Sequence, residues 1–216
     1  MNKLLVSDII NLNDGIYNLD FKENKSIINV SSEATIYIIN QNIEELIINL
    51  EENSKLTIYK YDKLLKNNIN IKINQNNNSN IYYNASYINE DDIYVNIDNI
   101  INGNNNNSNI IIRNISNNNC SNIKINMKVL ENTINNIALE DLKGINNGGI
   151  IKIEPNILCS SNEVIANHLT TIGVINQDEI NYLMSKGINI EEAKKILLKG
   201  FIYSNMDEYI KNLGGE

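Results

Sequence analysis

The chain has no Trp, one Pro, one His and two Cys in 216 residues. Two cysteines, Cys120 and Cys159, are too few to staple a chain of this length into a disulfide scaffold. They also cannot supply the four thiolates of a structural zinc or iron–sulfur site. A site that used one Cys and the one His would need further ligands, for example from a partner subunit. Basic residues are scarce: 18 Lys and Arg against 26 Asp and Glu leave a net charge of -8. That excludes a general nucleic-acid binder, which needs a basic face to displace counterions. No apolar run approaches the ~20 residues that cross a bilayer. The opening MNKLLVSDIINLNDG has neither the apolar stretch nor the small-residue cleavage site of a signal peptide. These absences predict a soluble, cytoplasmic, reduced protein with no nucleic-acid or membrane partner.

Two residue types fill the space: 47 Asn and 43 Ile. Their A/T-heavy codons account for part of this bias. The chain also changes character near residue 150, since 39 of the 47 Asn precede that point. In the first part, Ile69-Asn70-Ile71-Lys72-Ile73-Asn74 alternates apolar and polar, as do the segments around Ile93–Ile97 and Ile123–Val129. Period-two alternation means strands with one buried face, and β-branched Ile suits a pleated surface. The spacing predicts short strands near 27–30, 35–39, 46–50, 56–59, 69–73, 81–83, 93–97, 110–112 and 123–129, joined by Asn-rich turns. Asn tolerates the left-handed backbone and can stand in for Gly at turns. Many short strands mean a sandwich, a barrel or a solenoid. No fixed period favours the solenoid. Scarce Pro and Asn at the corners keep a parallel β-helix open, with Ile columns inside and Asn ladders along the corners.

Residues 176–203 are helical in pattern. Asn176 precedes an acidic first turn, Ile180, Leu183 and Met184 share a face, and Gly187 provides a stop. Asn189 and Glu192 have the spacing of an N-cap pair. Ala193, Ile196 and Leu197 form the next apolar face, with Gly200 as its expected end. Met206–Leu213 suits a third short helix, and the tail after Phe201 is expected to be exposed. The division expected is a β core over 1–175 and a helical segment over 176–216. Helices this short need a partner surface.

No nucleophile–base pair and no phosphate-cradling glycine loop is visible. Gly144, Gly148 and Gly149 lack the Lys and Ser/Thr context of such a loop. The chain is therefore not expected to be an enzyme or to hydrolyse ATP. A carbohydrate-active β-helix would need clustered carboxylates on one face. Only scattered acids are present.

The stretch GIIKIEPNILCSSNEVIANHLTTIGVINQDEINYLMSKGINIEEAKKILLKGFI resembles the C-terminal signature of the SufB/SufD family, scaffold subunits of iron–sulfur cluster assembly. The matching residues are Pro155, His168, Thr170, Thr171, Gly173, Glu179, Tyr182, Leu183, Lys186, Gly187, Glu191, Glu192, Ala193, Gly200 and Phe201. Upstream, Arg113 matches a strand–Arg–strand segment. The resemblance covers roughly residues 80–203. It implies a mainly β fold, a right-handed parallel β-helix followed by a short C-terminal helical segment. It implies a scaffold subunit that binds a SufC-type ABC ATPase through its helices. ATP-driven dimerisation of that ATPase would then strain the scaffold and expose the assembly site. It also implies a homodimer, or a heterodimer with a SufB-like subunit. Iron, or a transient iron–sulfur cluster shared with that partner, would be the cargo. On this basis Glu179, Tyr182, Leu183, Lys186, Gly187, Glu191, Glu192, Ala193, Ile196, Leu197, Gly200 and Phe201 are the expected ATPase-binding residues.

The chain departs from the SufB pattern at two positions. Where SufB-type members carry a Cys before the Pro and a Glu after the His, this chain has Glu140 and Leu169. His168 fits the SufD pattern, so the chain resembles a SufD-like or degenerate subunit. His168, Cys159 and Glu140 are the candidate metal ligands. For His168 the structural alternative is a hydrogen-bonded His at a strand end, and for Cys159 a small hydrophobe in the β core. For Glu140 and Asp141 it is a solvated acidic pair in a loop. Cys120 is expected in an Asn-rich turn, without a role.

Overall fold

The computed structural model describes residues 2–41, 43–65 and 68–213. Among the described residues the order of strands is β1 (Asn2–Val6), β2 (Ile9–Leu12), β3 (Gly15–Phe21), β4 (Lys25–Val30), β5 (Glu33–Ile39), β6 (Glu45–Leu50), β7 (Lys55–Leu65), β8 (Ile69–Gln75), β9 (Asn80–Asn89), β10 (Ile93–Ile101), β11 (Asn107–Asn117), β12 (Cys120–Val129), β13 (Asn136–Asn147), β14 (Ile150–Cys159) and β15 (Val164–Gly173). The helices α1 (Gln177–Ser185), α2 (Ile190–Ile202) and α3 (Glu208–Leu213) follow. No described helix is long and apolar enough to cross a membrane.

Odd-numbered strands form one sheet in the order β1 to β15, and even-numbered strands form the other from β2 to β14. Every pairing between these strands is parallel. Successive strands thus go to opposite sheets, and the chain winds as a parallel β-solenoid with two broad faces. A sandwich of hairpins would show two facing sheets as well, but with antiparallel neighbours.

The absence of a fixed repeat has a geometric cause. Lys3 stacks on Asn18, Glu33 on Lys55 and Asn107 on Ile137, so one coil takes 15, then 22, then 30 residues. The strands lengthen from four residues in β2 to twelve in β13. The inward rows are the expected Ile columns. Ile36, Ile58, Tyr83 and Ile110 stack along one sheet, and Leu46, Ile71, Ile97 and Ile125 along the other. All eight are buried. Sealing each such side chain contributes roughly 1.5–3 kcal/mol before entropy is counted.

Asparagine makes the corners and ties them together. Asn53, Asn78, Asn105 and Asn135 all have positive φ, between 54° and 62°. Their side-chain amides form a ladder: Asn78 donates to Asn53 at 3.1 Å, Asn105 to Asn78 at 3.0 Å and Asn135 to Asn105 at 3.2 Å. A second ladder runs along the even-strand face, where Asn29 donates to Asn11, Asn49 to Asn29 and Asn74 to Asn49 at 2.7–2.8 Å.

The helices begin as their caps predict. Asn176 accepts from the Asp178 N–H at 2.9 Å, Asn189 from the Glu192 N–H at 2.9 Å, and Gly187 takes φ +88°. Two expectations fail at the C-terminal end. Helix α2 runs through Gly200 to Ile202, and the tail beyond Phe201 is docked rather than exposed. Ile202, Tyr203, Met206 and Ile210 bury against Tyr37, Tyr61 and Ile115 on the outer face of the odd-strand sheet. Ser86 Oγ donates to the Ile202 carbonyl at 2.7 Å, and Asn205 Nδ2 to the Ala85 carbonyl at 3.0 Å. The Tyr203 hydroxyl donates to that of Tyr61 at 3.2 Å, and the Tyr37 hydroxyl to Asp207. The anchor at Ile202 is what carries the helix past its glycine.

Candidate functional site at the open end of the solenoid

β14 and β15 are the last strands of their sheets, and each leaves one edge without a strand partner among the described residues. β15 is exposed along almost its whole length. Ile165, Leu169, Ile172 and Val174 stand in solvent there, with Ile150 and Leu158 on β14.

At this end the structure brings two of the predicted ligands together. Glu140 on β13 and His168 on β15 are register partners, one strand spacing apart (~4.8 Å) with side chains on the same face. Both residues differ from the expected setting. His168 lies mid-strand, not at a strand end. Glu140 lies in a strand, not a solvated loop, and points inward between Ala138 and Leu142. Strand alternation decides this, because every second residue of β13 must face the core. Glu140 continues the apolar column of Ile58, Tyr83 and Ile110, and His168 ends it.

The Glu140 side chain is therefore in a costly place. It is only 2% exposed, and neither carboxylate oxygen has a hydrogen-bond partner. Burial raises its pKa from 4.5 to about 7. A buried carboxylate without a partner is stabilised only by a proton or a cation.

Cys159 does not join this pair. It closes β14 in the opposite sheet, at the corner that leads to Val164. Four residues of strand, ~13 Å, separate Val164 from His168. Partial burial pushes its thiol pKa up, away from the thiolate that binds metal. Cys120 begins β12 instead of lying in a turn, and its N–H donates to Asp92. Among the described residues no group of three or more His, Cys, Asp or Glu side chains could hold a metal. Iron–sulfur clusters are held mainly by thiolates. One carboxylate and one imidazole do not fit that requirement on their own.

The outer face of the same strands carries a feature that the sequence only hinted at. Asp141 points away from Glu140, and Arg113 Nη2 lies 2.7 Å from Asp141 Oδ2. Arg113 also donates to the Asp141 and Ile112 carbonyls at 3.0 Å and to Ser204 Oγ at 3.2 Å. It thus ties the helical tail to the strand next to the Glu140 position. Leu169, the register partner of Asp141, is 53% exposed on this outer face.

The predicted ATPase-binding residues divide into three groups by burial. Ala193 is buried, and with Ile180 it holds α1 and α2 in place. Glu179, Tyr182, Lys186, Gly187, Glu191, Glu192, Ile196 and Gly200 are exposed, while Leu183, Leu197 and Phe201 are half-buried. Lys186 Nζ sits 5.4 Å from the centre of the Tyr182 ring. Between the helices and the sheet runs an apolar groove of about 480 Å³, lined by Ile145, Val174, Ile196, Leu197 and Phe201 among others.

Residues 62–201 match the model of the SufBD core domain of the SUF system of FeS cluster assembly. No individually curated protein matches the chain. The matched segment spans most of the sequence, from the middle of the solenoid through both exposed helices. The chain belongs to the SufBD core-domain family of the SUF iron–sulfur cluster assembly system.

Proposed function

We propose that this protein is a scaffold subunit of a SUF-type assembly complex and engages a SufC-type ABC ATPase through α1 and α2. The observation that carries the reading is an uncovered apolar helix surface in a chain that matches the SufBD core domain. Tyr182, Met184, Ile190 and Ile196 are exposed on these helices, and Ile196 also lines the groove at Phe201. Apolar anchors with charged rims suit a helix-in-groove contact. The open edge of β15 supports pairing through the solenoid, with a second copy or with a SufB-like subunit. Arg113 offers a mechanical link from helices to strand, because it bonds Ser204 and Asp141 together.

Co-expression with the SufC-type ATPase of the same genome, followed by affinity capture, tests the reading. Capture is expected with the full chain and lost in an Ile196→Asp, Tyr182→Ala double variant. No capture of the ATPase by the full chain would overturn it. A second reading, a degenerate solenoid without assembly activity, is favoured by Glu140 and Leu169 standing where SufB-type members have Cys and Glu. It predicts failure to support cluster assembly even when the ATPase and a SufB-like partner are supplied.

A further inference from the structure

We infer that the tyrosine cluster under the C-terminal tail is a one-electron redox site, in which Tyr37 gives an electron to an outer-sphere oxidant and its proton to Asp207. Five of the eleven tyrosines gather there: Tyr37 on β5, Tyr59 and Tyr61 on β7, and Tyr203 and Tyr209 on the tail. Tyr37 stacks on Tyr59 with ring centres 5.5 Å apart and 18° between the planes, and it meets Tyr209 edge-on at 4.8 Å. Tyr61 follows Tyr59 on the same outward face of β7 and packs on Tyr203 at 5.5 Å. The rings therefore form one continuous chain across the face. None of the five falls within residues 62–201, so family membership does not account for them.

Tail docking explains the rings but does not require a base on one of them. The Tyr37 hydroxyl donates to Asp207 Oδ2, and the Ile210 N–H at the start of α3 holds the other carboxylate oxygen at 3.1 Å. Among the described residues no other tyrosine hydroxyl is bonded to a carboxylate: Tyr17 donates to backbone carbonyls, Tyr83 and Tyr87 bond each other, and Tyr203 donates to Tyr61. Burial and the carboxylate hold the Tyr37 proton well above the ordinary phenol range, so the ground state is the neutral phenol. A phenol that loses an electron becomes a strong acid. Its oxidation is easy where a base within hydrogen-bond reach takes the proton at the same moment. Here the Tyr37 O–H bond breaks and an O–H bond forms on Asp207. The products are a neutral phenoxyl radical, a neutral carboxylic acid and the oxidant reduced by one electron. Tyr37 is 6% exposed, which shields the radical from side reactions with solvent. The stacked neighbours share the hole, and the chain has no Trp to compete for it.

This inference rests on the docked tail and does not depend on the ATPase reading. The test is flash-quench oxidation of the full chain by photogenerated tris(bipyridine)ruthenium(III), with transient absorption and freeze-quench electron paramagnetic resonance. The exposed Cys120 and Cys159 are both replaced by Ser to remove competing thiols. A long-lived phenoxyl radical is expected, and its formation should slow in deuterium oxide. Tyr37→Phe should remove the long-lived signal, and Tyr94→Phe should leave it. Asp207→Asn keeps an oxygen that accepts the hydrogen bond but cannot take the proton. It should slow oxidation about tenfold or more and abolish the isotope effect. Amide exchange in the tail verifies docking in each variant. An unchanged radical in Tyr37→Phe, or an unchanged rate in a docked Asp207→Asn, would overturn the inference.

Discussion

Replacing Glu140 by Gln should stabilise the protein at high pH and leave it unchanged at low pH. The folded state raises the Glu140 pKa from 4.5 to about 7 through burial. The folded protein therefore holds this proton over a range where the unfolded chain has released it. Below pH 4.5 both states are protonated and the position carries no penalty. Between there and about pH 7 the contribution to stability falls as pH rises, and above that the whole deficit remains. A fully sealed site would make that deficit about 3 kcal/mol. The mouth of the solenoid is open to water, which lowers it to about 1–2 kcal/mol. The assay is urea unfolding followed by far-ultraviolet circular dichroism at several pH values. A chelator and low protein concentration keep metal and dimer out of the comparison. Other titrating groups cancel in the difference between wild type and variant. At pH 8 the variant should be more stable by about 1–2 kcal/mol, and at pH 4 the two should coincide. A difference that does not change with pH, or a wild type that is the more stable at pH 8, would refute the reasoning.

Three further outcomes test the framework. Lys60 Nζ lies 2.5 Å from Asp62 Oδ2 inside the solenoid, so Asp62→Asn should cost about 3–5 kcal/mol in urea unfolding by stranding the lysine, while Lys60→Met with Asp62→Leu should be nearly neutral. Asn105→Ala loses two ladder hydrogen bonds and a tolerant left-handed corner, and should cost about 1–2 kcal/mol; Asn105→Gly keeps the corner and should recover part of that. Arg113→Met should loosen the turn at Ser204 against the sheet, seen as faster amide exchange around Ser204 with little change in the Ile columns.

The strands from β4 to β12 were legible because each contains a stretch with one wet face and one dry face, so alternation marks them. The strands at either end were not. β15 is exposed on both faces and reads VIANHLTTIG, without period two. The coil length was hidden too, since each coil is longer than the one before for most of the solenoid. The docking of the tail had a faint signal in the sequence. Alternation breaks at Tyr37-Ile38-Ile39 and Arg113-Asn114-Ile115, where apolar or charged side chains occupy outward positions. Those breaks mark strands covered on both sides. The pairing of His168 with Glu140 needed the register of β13 and β15, which residue spacing does not contain. The resemblance assigned the two positions, and the structure supplied their adjacency.

The widening of the coil has a consequence for how this molecule can change over generations. In a uniform stack any storey can be copied or removed and the neighbours still meet. Here each storey has a perimeter of its own, so a duplicated one would overhang the floor beneath it and mismatch the corner amides. Growth by tandem duplication is closed to such a cone. Insertions should therefore be tolerated at its two rims and at the outer corners, and rejected between storeys.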